Sequence, residues 1–157
     1  KMEYSINLNS LKVTNAIAGV INGAFETGIN PAWFQVESLS KDGFLDAAFA
    51  DGDLKTPSGK PAKIDWTLKV RLNYDSYKSK WVTLTPSLAV EQWIKLAKDK
   101  NSEFLRTRAD AYLRYLVALS DDDADLAETI LFDQYEPDGV HDDALAQQAI
   151  AGEVVFG

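Results

Sequence analysis

Apolar and polar side chains alternate with a period of two over residues 63–73. Ile64, Trp66, Leu68, Val70 and Leu72 fall on one face, and Lys63, Asp65, Thr67, Lys69, Arg71 and Asn73 on the other. Successive strand residues point to opposite sides of a sheet, so this pattern predicts a half-buried strand. Residues 74–80 then read as a polar connection and 81–85 as a returning strand, together an antiparallel hairpin with a long loop. Tyr4, Ile6 and Leu8 alternate in the same way and predict a short strand over residues 3–8. Pro31 opens another over 33–39. Residues 44–50 fit strand or helix equally.

Elsewhere the period is helical. Leu11, Val13, Ile17, Val20, Ile21, Ala24 and Phe25 follow Ser10, a predicted N-cap, and Gly28 is the predicted stop. Gly19 and Gly23 lie inside this helix, each costing about 1 kcal/mol against alanine. Their spacing predicts close packing against a sheet. After residue 85 the chain turns helical throughout. Thr85 as N-cap with Pro86 in the first turn starts one helix, carrying Leu88, Trp93, Ile94 and Ala97 to about Lys98. Ser102 caps a second, with Leu105, Ala109, Tyr112, Leu116 and Leu119 inward. Ser120, in a capping box with Asp123, caps a third with Leu126, Ala127, Ile130 and Leu131 inward. Pro137 and Gly139 break the chain. A fourth helix over 142–151, capped by Asp142 or His141, ends at Gly152. Val154, Val155 and Phe156 form an apolar tip able to add a strand to the chain's own sheet or to a partner's.

These elements predict an α+β fold, with a small antiparallel sheet in the N-terminal half and a helical C-terminal subdomain of three to four helices. The 157 residues fit a single domain, with a sheet-containing lobe over 1–85 and an acidic helical lobe over 86–157. The 46% hydrophobic content is that of an ordinary globular chain. No apolar run approaches the roughly 18 residues of a membrane span, and no signal peptide is visible. Cysteine is absent, which excludes disulfides and thiolate chemistry and fits a reducing compartment. A soluble, cytoplasmic protein without a cofactor is expected.

Charge changes the picture more than composition does. The net charge of -8 is unevenly spread. Arg114 is the last basic residue, and the 43 residues after it carry 11 carboxylates. A dense carboxylate face can dock on a basic surface of a partner or of another copy, or serve solubility alone. The residues expected to meet such a partner are Asp121, Asp122, Asp125, Asp138, Asp142 and Asp143. Residues 55–81 run the other way, with seven basic residues against Asp65 and Asp75. Aromatic residues are interleaved there. Lys60, Lys63, Lys69, Arg71 and Lys78 with Tyr74 and Tyr77 therefore form an alternative site, for single-stranded nucleic acid.

Other motifs are weak. A calcium loop from Asp121 fails at its sixth and twelfth positions, Leu126 and Phe132, and acids in a first helical turn are explained by capping. Residues 140–143, Val-His-Asp-Asp, look like part of a histidine-aspartate phosphohydrolase motif. Such enzymes ligate metal through several histidines, and His141 is the only one. Residues 52–60 have six residues between the glycines where a phosphate-binding loop has four. Asp53-Leu54-Lys55 fits the short element of magnesium-dependent nucleases, with Glu37 or Asp46 as the second acid. The expected function is non-catalytic, as a protein-binding or assembly protein acting through the acidic C-terminal surface. The nucleic-acid and nuclease readings are the alternatives.

Overall fold

The computed structural model describes residues 4–28, 31–36 and 64–156. The order is helix α1 (Leu11–Thr27), a 3-10 turn (Pro31–Trp33), strands β1 (Phe34–Val36), β2 (Leu68–Tyr74), β3 (Tyr77–Lys78) and β4 (Val82–Leu84), then helices α2 (Pro86–Ala97), α3 (Glu103–Ser120) and α4 (Ala124–Thr129). A π-helical turn (Ile130–Tyr135) and helix α5 (Gly139–Ala151) follow. This is the α+β arrangement the sequence predicts.

β2 is the spine of the sheet. It pairs antiparallel with β1 on one edge, with Phe34 opposite Leu72 and Val36 opposite Val70. On the other edge it pairs with β4, Leu68 opposite Leu84, and with β3, Tyr74 opposite Tyr77. Leu68, Val70 and Leu72 are completely buried, as the alternation requires. They face a core built from both halves of the chain, including Val13 and Ile17 of α1, Trp93 of α2, Leu113 and Leu116 of α3, and Leu145 of α5. Two buried indoles reach across it to backbone carbonyls. Trp66 Nε1 donates to Thr14 O (2.8 Å) and Trp93 Nε1 to Leu145 O (2.8 Å). Buried indole N–H groups need such acceptors.

α5 is the central element. Every residue from Asp143 to Ile150 is buried, and the helix packs on α1, α2, α3 and the sheet. Its N-cap is Asp138, whose carboxylate accepts from Val140 N (2.8 Å), rather than Asp142 or His141. The helix thus starts earlier than predicted, because the Asp138–Gly139 pair supplies the cap directly after Pro137. Ser120 is not a cap either. It ends α3, with its hydroxyl donating to Leu116 O (2.8 Å) and accepting from Asn7 N (2.8 Å). Asp123 caps α4 instead, accepting from Leu126 N (3.1 Å).

Three further expectations change. Residues 4–8 form no strand. They are instead tied to α3 by Asn7 and by Tyr4 Oη, which donates to Asp110 (2.6 Å). The hairpin loop is not long: Asp75, left-handed at φ 55°, and Ser76 turn β2 directly into β3. The ladder then breaks at Ser79, whose hydroxyl takes the Leu72 N–H (2.8 Å), before β4 resumes. Gly23 does permit close packing, but on α5 rather than on a sheet; a β-carbon there would sit 2.5 Å from Asp142 Oδ2. Gly19 faces open space. The expectations for residues 37–63 lie outside the described residues.

Candidate functional site

The acidic segment is shaped by the π turn. Its i→i+5 hydrogen bonds widen the helix and shift which side chains face inward. Ala127, Ile130 and Tyr135 are buried, whereas Leu126 is 48% exposed and Phe132 58% exposed. The outward position of Leu126 differs from the inward one its spacing predicts. α4 has only six residues before the helical period changes, so its apolar positions cannot all share one face. Phe132 forms a hollow of about 300 Å³ with Asp125, Glu128, Thr129 and Asp133. The π turn is anchored from α3: Arg108 pairs with Glu136 (3.1 Å) and donates to Gln134 O (3.3 Å). Glu136 itself is left-handed at φ 57°, an uncommon state for a residue with a β-carbon.

The six predicted partner-binding carboxylates divide by depth. Asp121, Asp122, Asp125 and Asp138 are exposed around α4 and the start of α5. Lys12 lies 3.6 Å from Asp122. Asp143 is completely buried, so it faces the core and not a partner. It accepts a hydrogen bond from Gln147, one turn further along α5. Asp142 is half-buried. Tyr135 Oη donates to its Oδ1 (2.7 Å), and Tyr112 packs edge-on against Tyr135, with ring centroids 4.8 Å apart. Burial, opposed by the Tyr135 hydrogen bond and by His141, raises the Asp142 carboxyl to about 6. The same burial pushes the Tyr112 and Tyr135 hydroxyls well above their usual range. Sequence pattern groups Asp142 and Asp143 with the surface acids because α5 carries no polar stripe that would mark its buried side.

His141 has a structural role. Its Nδ1 lies 2.7 Å from Glu136 O and donates to it, and its ring packs on Phe104 and Tyr135. Among the described residues no group of three or more histidines and carboxylates could hold a metal ion.

The outer face of the sheet carries the opposite charge. Lys69, Arg71 and Asn73 of β2 point outward, with Gln35 and Lys78 as lateral neighbours. Arg71 lies over the Trp81 ring at 4.5 Å, and Lys69 Nζ lies 6.0 Å from its centroid. Gln35 Oε1 accepts from Arg71 Nε (2.7 Å) and Asn73 Nδ2 (2.9 Å), fixing the guanidinium. Trp81 remains 39% exposed. Tyr74 and Tyr77 do not join this group. They oppose each other across the ladder on its inner side, and both rings contact Phe156. Lys60 and Lys63 lie outside the described residues. The aromatic partner of these cations is therefore Trp81, a residue whose outward parity with Arg71 is readable from the hairpin.

No helix of the described residues is long and apolar enough to cross a membrane. No family model matches the chain, and no curated protein or solved structure matches it either.

Proposed function

We propose that this chain is a non-catalytic assembly protein whose acidic α4 face docks on the basic sheet face of a neighbouring copy. The observation that carries this reading is complementarity between the two surfaces. One presents Phe132 and Leu126 among Asp125, Glu128 and Asp133; the other presents Trp81 among Lys69, Arg71 and Lys78. Each has an apolar centre with a charged surround, as protein interfaces do. Opposed charge steers encounter and fixes register, while burial of Phe132 and Trp81 supplies affinity. α4 packs on α3 and the π turn, away from the sheet, so one copy can use both faces at once. Such a contact is head-to-tail and builds rings or open chains rather than a closed pair.

Charge exchange tests it. The double substitution Asp125→Lys with Glu128→Lys should abolish the salt-sensitive association, and so should Arg71→Glu. Mixing the two variants should restore a complex, because the unaltered sheet face of the first meets the unaltered acidic face of the second. Two inert variants that stay inert when mixed would refute the reading.

Arg71 lying over a half-exposed Trp81 also supports a second use, stacking of a single-stranded nucleic-acid base with phosphate contact from Lys69 and Lys78. An oligonucleotide that binds the chain and is lost on Trp81→Ala would favour this over self-association.

A further inference from the structure

The main chain of Val155 and Phe156 is bonded by one buried side chain. Gln147 is completely buried, and its amide uses all its bonding capacity on two objects. Oε1 accepts from the backbone N–H of Val155 (2.8 Å) and of Phe156 (2.8 Å). Nε2 donates to Phe156 O (3.2 Å) and to the Asp143 carboxylate beneath it. Two successive N–H groups converge on one oxygen, so the amide reads the main chain of a turned segment, not of an extended strand, whose successive N–H groups point to opposite sides. The Phe156 ring enters an aromatic enclosure drawn from three other elements. It stacks on Trp33 with centroids 4.7 Å apart, and Tyr77 and Tyr74 meet it edge-on at 5.6 and 6.0 Å. Trp33 is buried, and its indole Nε1 has no hydrogen-bond partner among the described residues.

The receptor and its occupant differ in character. Gln147 and Asp143 are rigidly built into α5, whereas residues 154–156 are only half-buried. They leave α5 through Gly152, left-handed at φ 75°, a conformation glycine adopts without strain. Main-chain hydrogen bonds give affinity and a pocket for one large side chain gives specificity in peptide recognition. We propose that Gln147, Trp33, Tyr74 and Tyr77 form a peptide-binding slot, filled here by the chain's own residues 154–156, that takes the same segment from a second copy. The ligand class is a short apolar segment that turns at an aromatic residue. A tethered segment competes at high effective concentration, so exchange between copies requires them to be crowded together. This contact is apolar and hydrogen-bonded, so it is independent of the acidic face and should resist salt.

The test uses the full chain carrying Phe156→Ala, which empties the enclosure. A fluorescein-labelled peptide with the sequence of residues 152–157 is titrated in, followed by anisotropy, at about 0.15 M and about 1 M salt. Saturable binding is expected, changed less than about twofold by salt and at least about tenfold weaker on the unaltered chain, where the tethered segment competes. A peptide with alanine in place of phenylalanine should not bind. The unaltered chain should also form a concentration-dependent dimer that persists at high salt. Folded Phe156→Ala chain that takes up neither peptide or both equally, or an unaltered chain that stays monomeric at high salt and high concentration, overturns the proposal. Phe156→Leu, which keeps most of the apolar volume, serves if the alanine variant does not fold. Loss of salt-sensitive association with this binding intact would instead count only against the head-to-tail reading.

Discussion

Replacing Asp142 by asparagine should stabilise this protein at neutral pH. The carboxyl is raised from 3.8 to about 6, chiefly because its burial penalises the charged form. A group bound more tightly to its proton when folded contributes stability that is complete below its unfolded pKa. That contribution is lost as pH rises through the folded value. Here the window runs from pH 3.8 to about 6. At about 1.4 kcal/mol per pKa unit, ionised Asp142 costs the fold about 3 kcal/mol above that window. The substituted amide would keep an acceptor for Tyr135 Oη and carry no charge. Denaturant unfolding of both proteins from pH 4 to pH 8 reads the effect directly. Asp142→Asn should be more stable by up to about 3 kcal/mol at pH 7.5, with the gain vanishing near pH 4. Because both proteins share every other titrating group, their difference isolates this one. A variant that is less stable at pH 7.5, or a difference that does not change with pH, would show that burial does not disfavour the ionised Asp142 carboxyl.

The two helical glycines should respond in opposite directions. Gly19→Ala meets open space and should stabilise by about 0.5–1 kcal/mol, while Gly23→Ala drives a methyl into the Asp142 carboxylate and should cost about 1–3 kcal/mol, both measured by denaturant unfolding. Thr85 Oγ1 accepts from Leu88 N at 3.1 Å, so Thr85→Ala should cost about 1 kcal/mol in the same assay. Phe132→Ser removes an exposed apolar group and should leave the unfolding free energy within about 0.5 kcal/mol while weakening self-association in sedimentation experiments.

Sequence pattern reads the elements well where one physical signal dominates. β2 alternates because one side is buried, and α1 and α2 begin at Ser10 and Thr85 because those hydroxyls satisfy free helix N–H groups. The strand predicted over 63–73 begins too early, because Ile64 and Asp65 turn and only Trp66 onward is drawn beneath α1. α5 is harder to place. A helix surrounded on all sides has no polar stripe, so its depth cannot be read from periodicity, and its buried Asp143 looks in sequence like another surface acid. The candidate site is legible in charge but not in shape. The asymmetry of carboxylates points to the acidic face, but the π turn that lifts Phe132 outward has no sequence signal of its own. Proximity along the chain groups Tyr74 and Tyr77 with the cations, whereas strand parity sends them to the opposite side.

The most direct test of head-to-tail assembly is sedimentation velocity of the unaltered chain over a concentration series, at about 0.05 M and about 1 M salt. The screening length falls from more than about 10 Å to about 3 Å across that range, which removes most attraction between exposed charges. Head-to-tail contact gives association beyond a dimer at low salt that collapses to dimer or monomer at high salt. A chain whose assembly state is the same at both salt concentrations would contradict it.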